Sequence, residues 1–184
     1  SNGGEISKPD DPSFKPVRFG RADFAFDPNT ETFEVLTGGA RFGQTFDDYG
    51  NRFLCNIRNP VQHVVFENRY LARNPYLVVT NAVHDCAEAG DTLPVFRASP
   101  PEPWRAARAD RWRLEAGQTY PRSELAGEGY FTSACGITIY RGSAYPKEFY
   151  GNVFLGEVAG NLIHRETLTP DGVTFKAARA DKDA

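Results

Sequence analysis

The sequence predicts an all-β chain made of four-stranded antiparallel meanders. Three observations carry that reading: an internal repeat, period-two alternation of apolar residues, and turn chemistry between the alternating runs. The repeat sets Gly50-Asn51-Arg52-Phe53-Leu54-Cys55-Asn56-Ile57 beside Gly151-Asn152-Val153-Phe154-Leu155-Gly156-Glu157-Val158 without a gap. In the same register His63 falls on His164, and Gly43-Gln44-Thr45-Phe46 mirrors Gly136-Ile137-Thr138-Ile139. A second pairing relates Phe26-Asp27-Pro28-Asn29-Thr30-Glu31-Thr32-Phe33 to Leu168-Thr169-Pro170-Asp171-Gly172-Val173-Thr174-Phe175. Each is an apolar strand end, a Pro-Asn or Pro-Asp turn, and a Thr-Phe opening of the next strand, which is hairpin chemistry.

Taken in order, the chain opens with an outer hairpin (residues 17–38), roughly Arg18–Phe26 and Thr32–Thr37. The first complete unit (41–98) uses Gly43–Phe46, Phe53–Ile57, Gln62–Phe66 and Leu93–Arg97 as its strands. The stretch from Glu67 to Glu128 does not follow the repeat and holds many of the prolines. Within it only Glu102–Ala116 reads as helix, with Trp104 and Trp112 two turns apart, Pro103 suited to a first turn and Gly117 to a stop. Residues 99–128 are therefore expected to form an insertion packed over an edge of the fold. The second complete unit (132–179) is the clearest: Gly136–Arg141, Val153–Val158, Leu162–Leu168 and Val173–Ala178. Repeated four-stranded meanders joined by Gly and Asp turns are the mark of β-propeller blades. The expectation is one domain, residues 1–184, forming a partial β-propeller of about two and a half blades with a long, partly helical insertion. A β-sandwich would not account for the matched registers of the two units.

Composition narrows the function classes. The 184 residues carry 21 Lys+Arg against 24 Asp+Glu, and this near-neutral balance argues against nucleic acid and anionic membrane surfaces as partners. No apolar run approaches the roughly 18 residues needed to span a bilayer, so a soluble chain is expected. The opening Ser1-Asn2-Gly3-Gly4 and the absence of methionine point to a partial sequence. Cys55, Cys86 and Cys135 include no C-x-x-C pair and no C-x-x-C-H for covalent haem. They read either as three buried thiols or as one disulfide plus a spare thiol; Cys55 and Cys135 can approach at a boundary between units, and Cys86 is expected unpaired.

The topology also proposes a site. In a four-stranded meander, the turn after the second strand and the link into the next first strand emerge at the same end. Arg58, Asn59 and Gln62 lie at the first kind of turn, and Gly38, Gly39 and Arg41 on the second kind of link. Arg41 and Arg58 are thereby drawn towards one rim, where guanidinium groups can clamp a carboxylate or ortho-quinone and amides complete the fit. The alternative is that Arg58 pairs with a nearby acid and holds its own turn. His63 suits a general base for hydride removal from an alcohol, although its match to His164 also suits a structural role shared by the two units. The Asp47-Asp48 turn lies at the opposite end and reads as turn chemistry, not a calcium loop. Three scattered histidines lack metal-ligand spacing, so no metal site is expected.

Several segments, in order, carry a family resemblance: Phe42-Gly43-Gln44-Thr45-Phe46-Asp47-Asp48-Tyr49-Gly50-Asn51-Arg52-Phe53, then Asn56-Ile57-Arg58-Asn59-Pro60-Val61-Gln62-His63, then Tyr70-Leu71-Ala72-Arg73-Asn74-Pro75-Tyr76-Leu77. Ala134-Cys135-Gly136-Ile137-Thr138-Ile139-Tyr140-Arg141-Gly142 and Gly160-Asn161-Leu162-Ile163-His164-Arg165 belong with them. The chain resembles the propeller region of the large "membrane-bound dehydrogenase" proteins of planctomycete-type bacteria. That resemblance implies a domain similar to the soluble quinoprotein glucose dehydrogenases, six-bladed propellers that hold pyrroloquinoline quinone on one face. Arg58-Asn59-Pro60 resembles their quinone-contacting Arg-Asn element; Arg41 and Gln62, which the meander topology draws to the same rim, are the further candidate cofactor contacts. The resemblance further implies a carbohydrate or alcohol substrate, electron transfer to a cytochrome c module elsewhere in a longer protein, and a periplasmic or extracellular location. The competing expectation is a non-catalytic binding or scaffold propeller that contacts a glycan or a protein.

Overall fold

The computed structural model describes residues 3–90, 93–116 and 129–181. Among these described residues, twelve strands fall into four antiparallel sheets. Strands β1 (Gly4–Ile6) and β2 (Val17–Phe19) pair first, and β3 (Asp23–Asp27) and β4 (Thr32–Leu36) form the outer hairpin. The first large sheet runs β5 (Gly43–Phe46), β6 (Arg52–Cys55), β7 (Gln62–Val64) and β8 (Val83–Asp85). The second runs β9 (Ala134–Ile139), β10 (Val153–Glu157), β11 (Leu162–Asp171) and β12 (Thr174–Arg179). Helix α1 (Asn68–Leu71) lies in the connection from β7 to β8, and α2 (Pro103–Ala116) in the connection between the large sheets. The expected helix stop at Gly117 lies outside the described residues.

The all-β class and the second meander agree with the sequence reading; the first meander differs in its last strand. Its fourth strand is β8, paired through Gln62↔Asp85, His63↔His84 and Val64↔Val83. The expected strand Leu93–Arg97 instead makes a single bridge, Pro94↔Tyr130. Pro94 has no N–H to give a ladder, whereas three consecutive residues at 83–85 are too few to show alternation. The pairing of β1 with β2 likewise rests on three residues from each strand.

The two large sheets share their register at the first pair of strands and lose it at the next. Thr45↔Phe53 and Phe46↔Arg52 correspond to Thr138↔Phe154 and Ile139↔Val153. Beyond the turn, however, His63 faces Phe53 while His164 faces Leu155, a slip of one residue relative to the sequence repeat. A one-residue slip turns a side chain to the other face of its strand. The two histidines are therefore not equivalent, contrary to the expectation from the repeat. They enter the layer between the sheets from opposite sides.

That layer is the core. Phe53, Cys55 and Val61 from the first sheet meet Ile137, Ile139, Val153, Leu155 and Ala177 from the second, with Cys86, Val95, Phe131 and Ala134 filling the margins. The first strands approach closely: Gly136 N donates to Phe42 O at 2.9 Å, and Ile139 N to Thr45 Oγ1 at 3.1 Å. A Cβ at Gly43 would stand 3.1 Å from Ile137 N and 3.3 Å from Cys55 Sγ, so the sheets meet where a side chain is absent.

All four residues of β6 are buried, because its other face is covered by the hairpin. Here the apolar rule breaks. Arg52, only 3% exposed, occupies the position that Val153 fills in the repeat. Its Nε donates to Glu67 Oε1 at 2.9 Å and Nη2 to Glu67 Oε2 at 3.3 Å. Nη1 donates to Asp23 Oδ2 at 3.1 Å and Gln44 Oε1 at 3.3 Å, and Nη2 also reaches the carbonyl of Thr37. All five guanidinium N–H groups are thus engaged. One side chain ties β6 to β5, to both ends of the hairpin and to the start of α1. Removing it leaves two partly buried carboxylates without their counter-charge, which costs about 3–5 kcal/mol in comparable sites. Chemical denaturation of Arg52→Ala should show a loss of that order. Arg18→Ala, which breaks the exposed 2.6 Å pair with Glu5, should cost at most about 1 kcal/mol.

Candidate functional site

A cleft of about 370 Å³ opens between the hairpin and the β6–β7 turn. Three cations line it: Arg21 at the start of the hairpin, Arg41 on the link that leaves it, and Arg58 on the turn. Three amides complete the polar wall, Asn56, Asn59 and Gln62. Among the described residues no carboxylate lines it. Among the described residues no acid pairs with Arg21 or Arg41; the Arg41 guanidinium lies 6.0 Å from the Phe42 ring centre.

Local chemistry brings these segments together. Asp23 accepts from Ala40 N at 3.0 Å and from Arg52, which folds the exit of the hairpin back against its entry. The exit must carry glycine: a Cβ at Gly38, where φ is 142°, would overlap the Asp23 carboxylate. On the opposite wall Asn56 N donates to Asn59 O at 2.9 Å, closing the turn, while Pro60 and Val61 are buried beneath it. The amides form a relay. Asn56 Nδ2 donates to Gln62 Oε1 at 2.7 Å, Gln62 Nε2 to Asp85 Oδ1 at 2.6 Å, and Asn59 Nδ2 to Asp85 Oδ2 at 2.9 Å.

Arg41, Arg58, Asn59 and Gln62 are thus brought to one cleft, and His63 is not. Successive strand residues point to opposite faces: Gln62 turns to the cleft, and His63 turns into the core, 4% exposed. Its ring stacks on Phe53 at 5.1 Å, meets Phe175 edge-on at 5.1 Å, and shares a hydrogen bond with Thr174 Oγ1 at 3.0 Å. Arg21 and Asn56 in the lining, and Asp85 behind it, are the residues that sequence reasoning missed. Arg21 follows Gly20 in the hairpin approach and carries no motif. Asp85 became visible only once Val83–Asp85 was seen to be a strand.

The Asp47-Asp48 turn lies at the far end of the sheet. Asp47 accepts from Tyr49 N and Asn51 N at 2.9 and 2.8 Å, while Asp48 meets Arg141 at 3.5 Å and the Tyr150 hydroxyl. Among the described residues no group of three or more His, Cys, Asp or Glu side chains could hold a metal ion. Cys55, Cys86 and Cys135 are free thiols, which answers the choice left open by the sequence. Burial raises the Cys55 thiol, and pushes Cys86 up to about 12.

Two predictions follow from these environments. Burial lowers the His63 pKa below its ordinary 6.5, so the unfolded chain takes up this proton first as the pH falls. The stability that neutral His63 contributes is complete above about pH 6.5 and is lost below it. Urea unfolding between pH 7.5 and 5.5 should show this decline, and His63→Phe should flatten it. At pH 8 Cys86 should resist thiol reagents in the native protein and react at once in denaturant.

No curated protein and no solved structure matches this chain. The model of a family described as "Domain of unknown function (DUF7133)" matches residues 1–184. Because that match runs the whole length of the sequence, the chain belongs to the DUF7133 family.

Proposed function

We propose that this domain is a ligand-binding module of propeller architecture whose cleft holds an organic anion. The observation that carries the reading is the convergence of Arg21, Arg41 and Arg58, from three separate stretches of chain, on one cleft that no carboxylate of the described residues lines. Arg21 and Arg41 have no acid partner among the described residues, and planar guanidinium donors match carboxylate geometry. Two four-stranded meanders lying face to face, with β5 beside β9, support the propeller reading.

The resemblance to quinoprotein dehydrogenases names one such anion. The donor set fits pyrroloquinoline quinone: the three arginines suit its carboxylates and ortho-quinone, and Asn59 and Gln62 suit the adjoining polar edge. Bound there, the quinone would supply the two-electron oxidation of an alcohol or sugar, with a cytochrome as acceptor. The dehydrogenase reading also needs a general base at the cleft. His63 lies on the other side of its strand, so binding is the better-supported function.

Calorimetric titration with the quinone and with simple carboxylates tests the proposal. A charge-assisted hydrogen bond contributes about 1.5–3 kcal/mol, so Arg21→Ala, Arg41→Ala and Arg58→Ala should each weaken the anion about 10- to 100-fold without unfolding the chain. Unchanged affinity in all three variants, or no carboxylate binding by the parent protein, would refute it.

A further inference from the structure

The anion cleft shares two of its walls with a second, larger cavity. Arg21 and Gln62 line both, and the hairpin exit divides between them, Gly39 lining the cleft and Gly38 the cavity. The second cavity, about 590 Å³, lies between the hairpin and the connection from α1 to β8. Ala22, Val35, Leu36, Val79, Ala82 and Val83 line it and are half-buried, whereas its Asn68, Thr80 and Asn81 are exposed and stay in water. Backbone carbonyls along this floor already have donors. Val35 O accepts from Asn68 Nδ2 at 3.1 Å, Ala82 O from Val65 N and Phe66 N at 3.0 and 3.2 Å, and Thr37 O from Arg52 Nη2. Beyond Arg21, no charged side chain of the described residues lines the cavity. Such a floor offers apolar contact, and a charge placed over it would lose water without meeting a partner.

We infer that cleft and cavity form one bipartite site for a monocarboxylic acid with an apolar chain, its carboxylate held at Arg21 and its chain lying over Val35, Leu36, Val79 and Val83. The inference rests on the anion-binding reading and deepens it. Arg21 stands at the junction and has no acid partner among the described residues, so its guanidinium takes the carboxylate at the mouth of the apolar cavity. A short acid such as acetate uses the cleft alone, and an aliphatic alcohol uses the cavity alone. The chained acid uses both. A second carboxylate at the far end of the chain would lie where no cation meets it.

NMR titration of the 184-residue chain with acetate, butanoate, hexanoate and octanoate tests the inference. Full burial of a methylene is worth about fourfold in affinity and a trough that covers one side about twofold, so octanoate should bind about sixtyfold tighter than acetate. Octanedioate, of the same length with a second carboxylate, should lose that gain. Arg21→Ala should weaken acetate and octanoate by the same factor, about tenfold or more, and leave their ratio intact. Val79→Trp fills the cavity and should bring octanoate down to the acetate level. Val79→Asn leaves the space open but polar and should cut the octanoate advantage severalfold, which keeps the test open if the indole packs elsewhere. Equal binding of acetate and octanoate, or a chain-length series that survives both Val79 variants, would overturn the inference. So would octanol or octanedioate binding as tightly as octanoate. Binding of pyrroloquinoline quinone with no gain from acetate to octanoate would overturn it while leaving the anion-binding reading intact. Failure of every carboxylate would remove both.

Discussion

The arrangement depends most on one buried guanidinium. Arg52 opens a strand whose other residues Phe53, Leu54 and Cys55 are fully covered, and all five of its donors are occupied. A methylene side chain at this position would fill the space but hold nothing across it. Arginine joins elements that share little apolar surface: the hairpin through Asp23 and Thr37, the first strand through Gln44, and the helical connection through Glu67. Buried ion pairs contribute little net stability compared with well-packed apolar groups, yet breaking one is costly. The device is therefore read best as one that fixes geometry. What it fixes is the angle of the hairpin, and with it the positions of Arg21 and Arg41 opposite Arg58.

The same logic separates the other buried charges from the cleft. Glu157 is 1% exposed and accepts from Thr132 N, Thr132 Oγ1, Ser133 N and Ala159 N at 2.9–3.0 Å, a satisfied knot that closes the entry to the second sheet. His164 and Glu166 meet at 3.0 Å within the core, and Arg179 extends from them to the carbonyl of Pro94. These groups are turned inwards and hold neighbouring segments together. The three cleft arginines lie at the surface between separate segments. That contrast, more than any residue type, is what singles out the cleft as the proposed binding site.

Much of the fold was legible because the informative signals were local. Period-two alternation in 153–158 and 162–168 and the Asp171-Gly172 turn give the last three strands of the second meander to within three residues. The meeting of Arg41 with Arg58, Asn59 and Gln62 was also legible, since it follows from which turns share an end of a meander. The rest depended on three-dimensional facts. Val83–Asp85 is too short to declare itself a strand, and Asp85 was hidden with it. The repeat placed His63 on His164, but a register slip after the β6–β7 turn sends them to opposite faces, which no alignment of letters reveals. Arg52 did leave a trace: it is the charged residue in a frame whose other copy carries Val153, an exception at a position the repeat itself marks as buried.

The central claim is that a residue with no contact to the cleft decides whether the cleft binds. Arg52→Lys keeps the charge and much of the volume, but three donors on one flexible stem cannot serve Glu67, Asp23, Gln44 and Thr37 together. The decisive measurement is the affinity of folded Arg52→Lys for a carboxylate ligand, taken well below its melting temperature with its near-ultraviolet spectrum as the check on folding. The account predicts a loss of about tenfold or more, comparable to deleting one cleft arginine. Full parental affinity in a folded Arg52→Lys protein would contradict it.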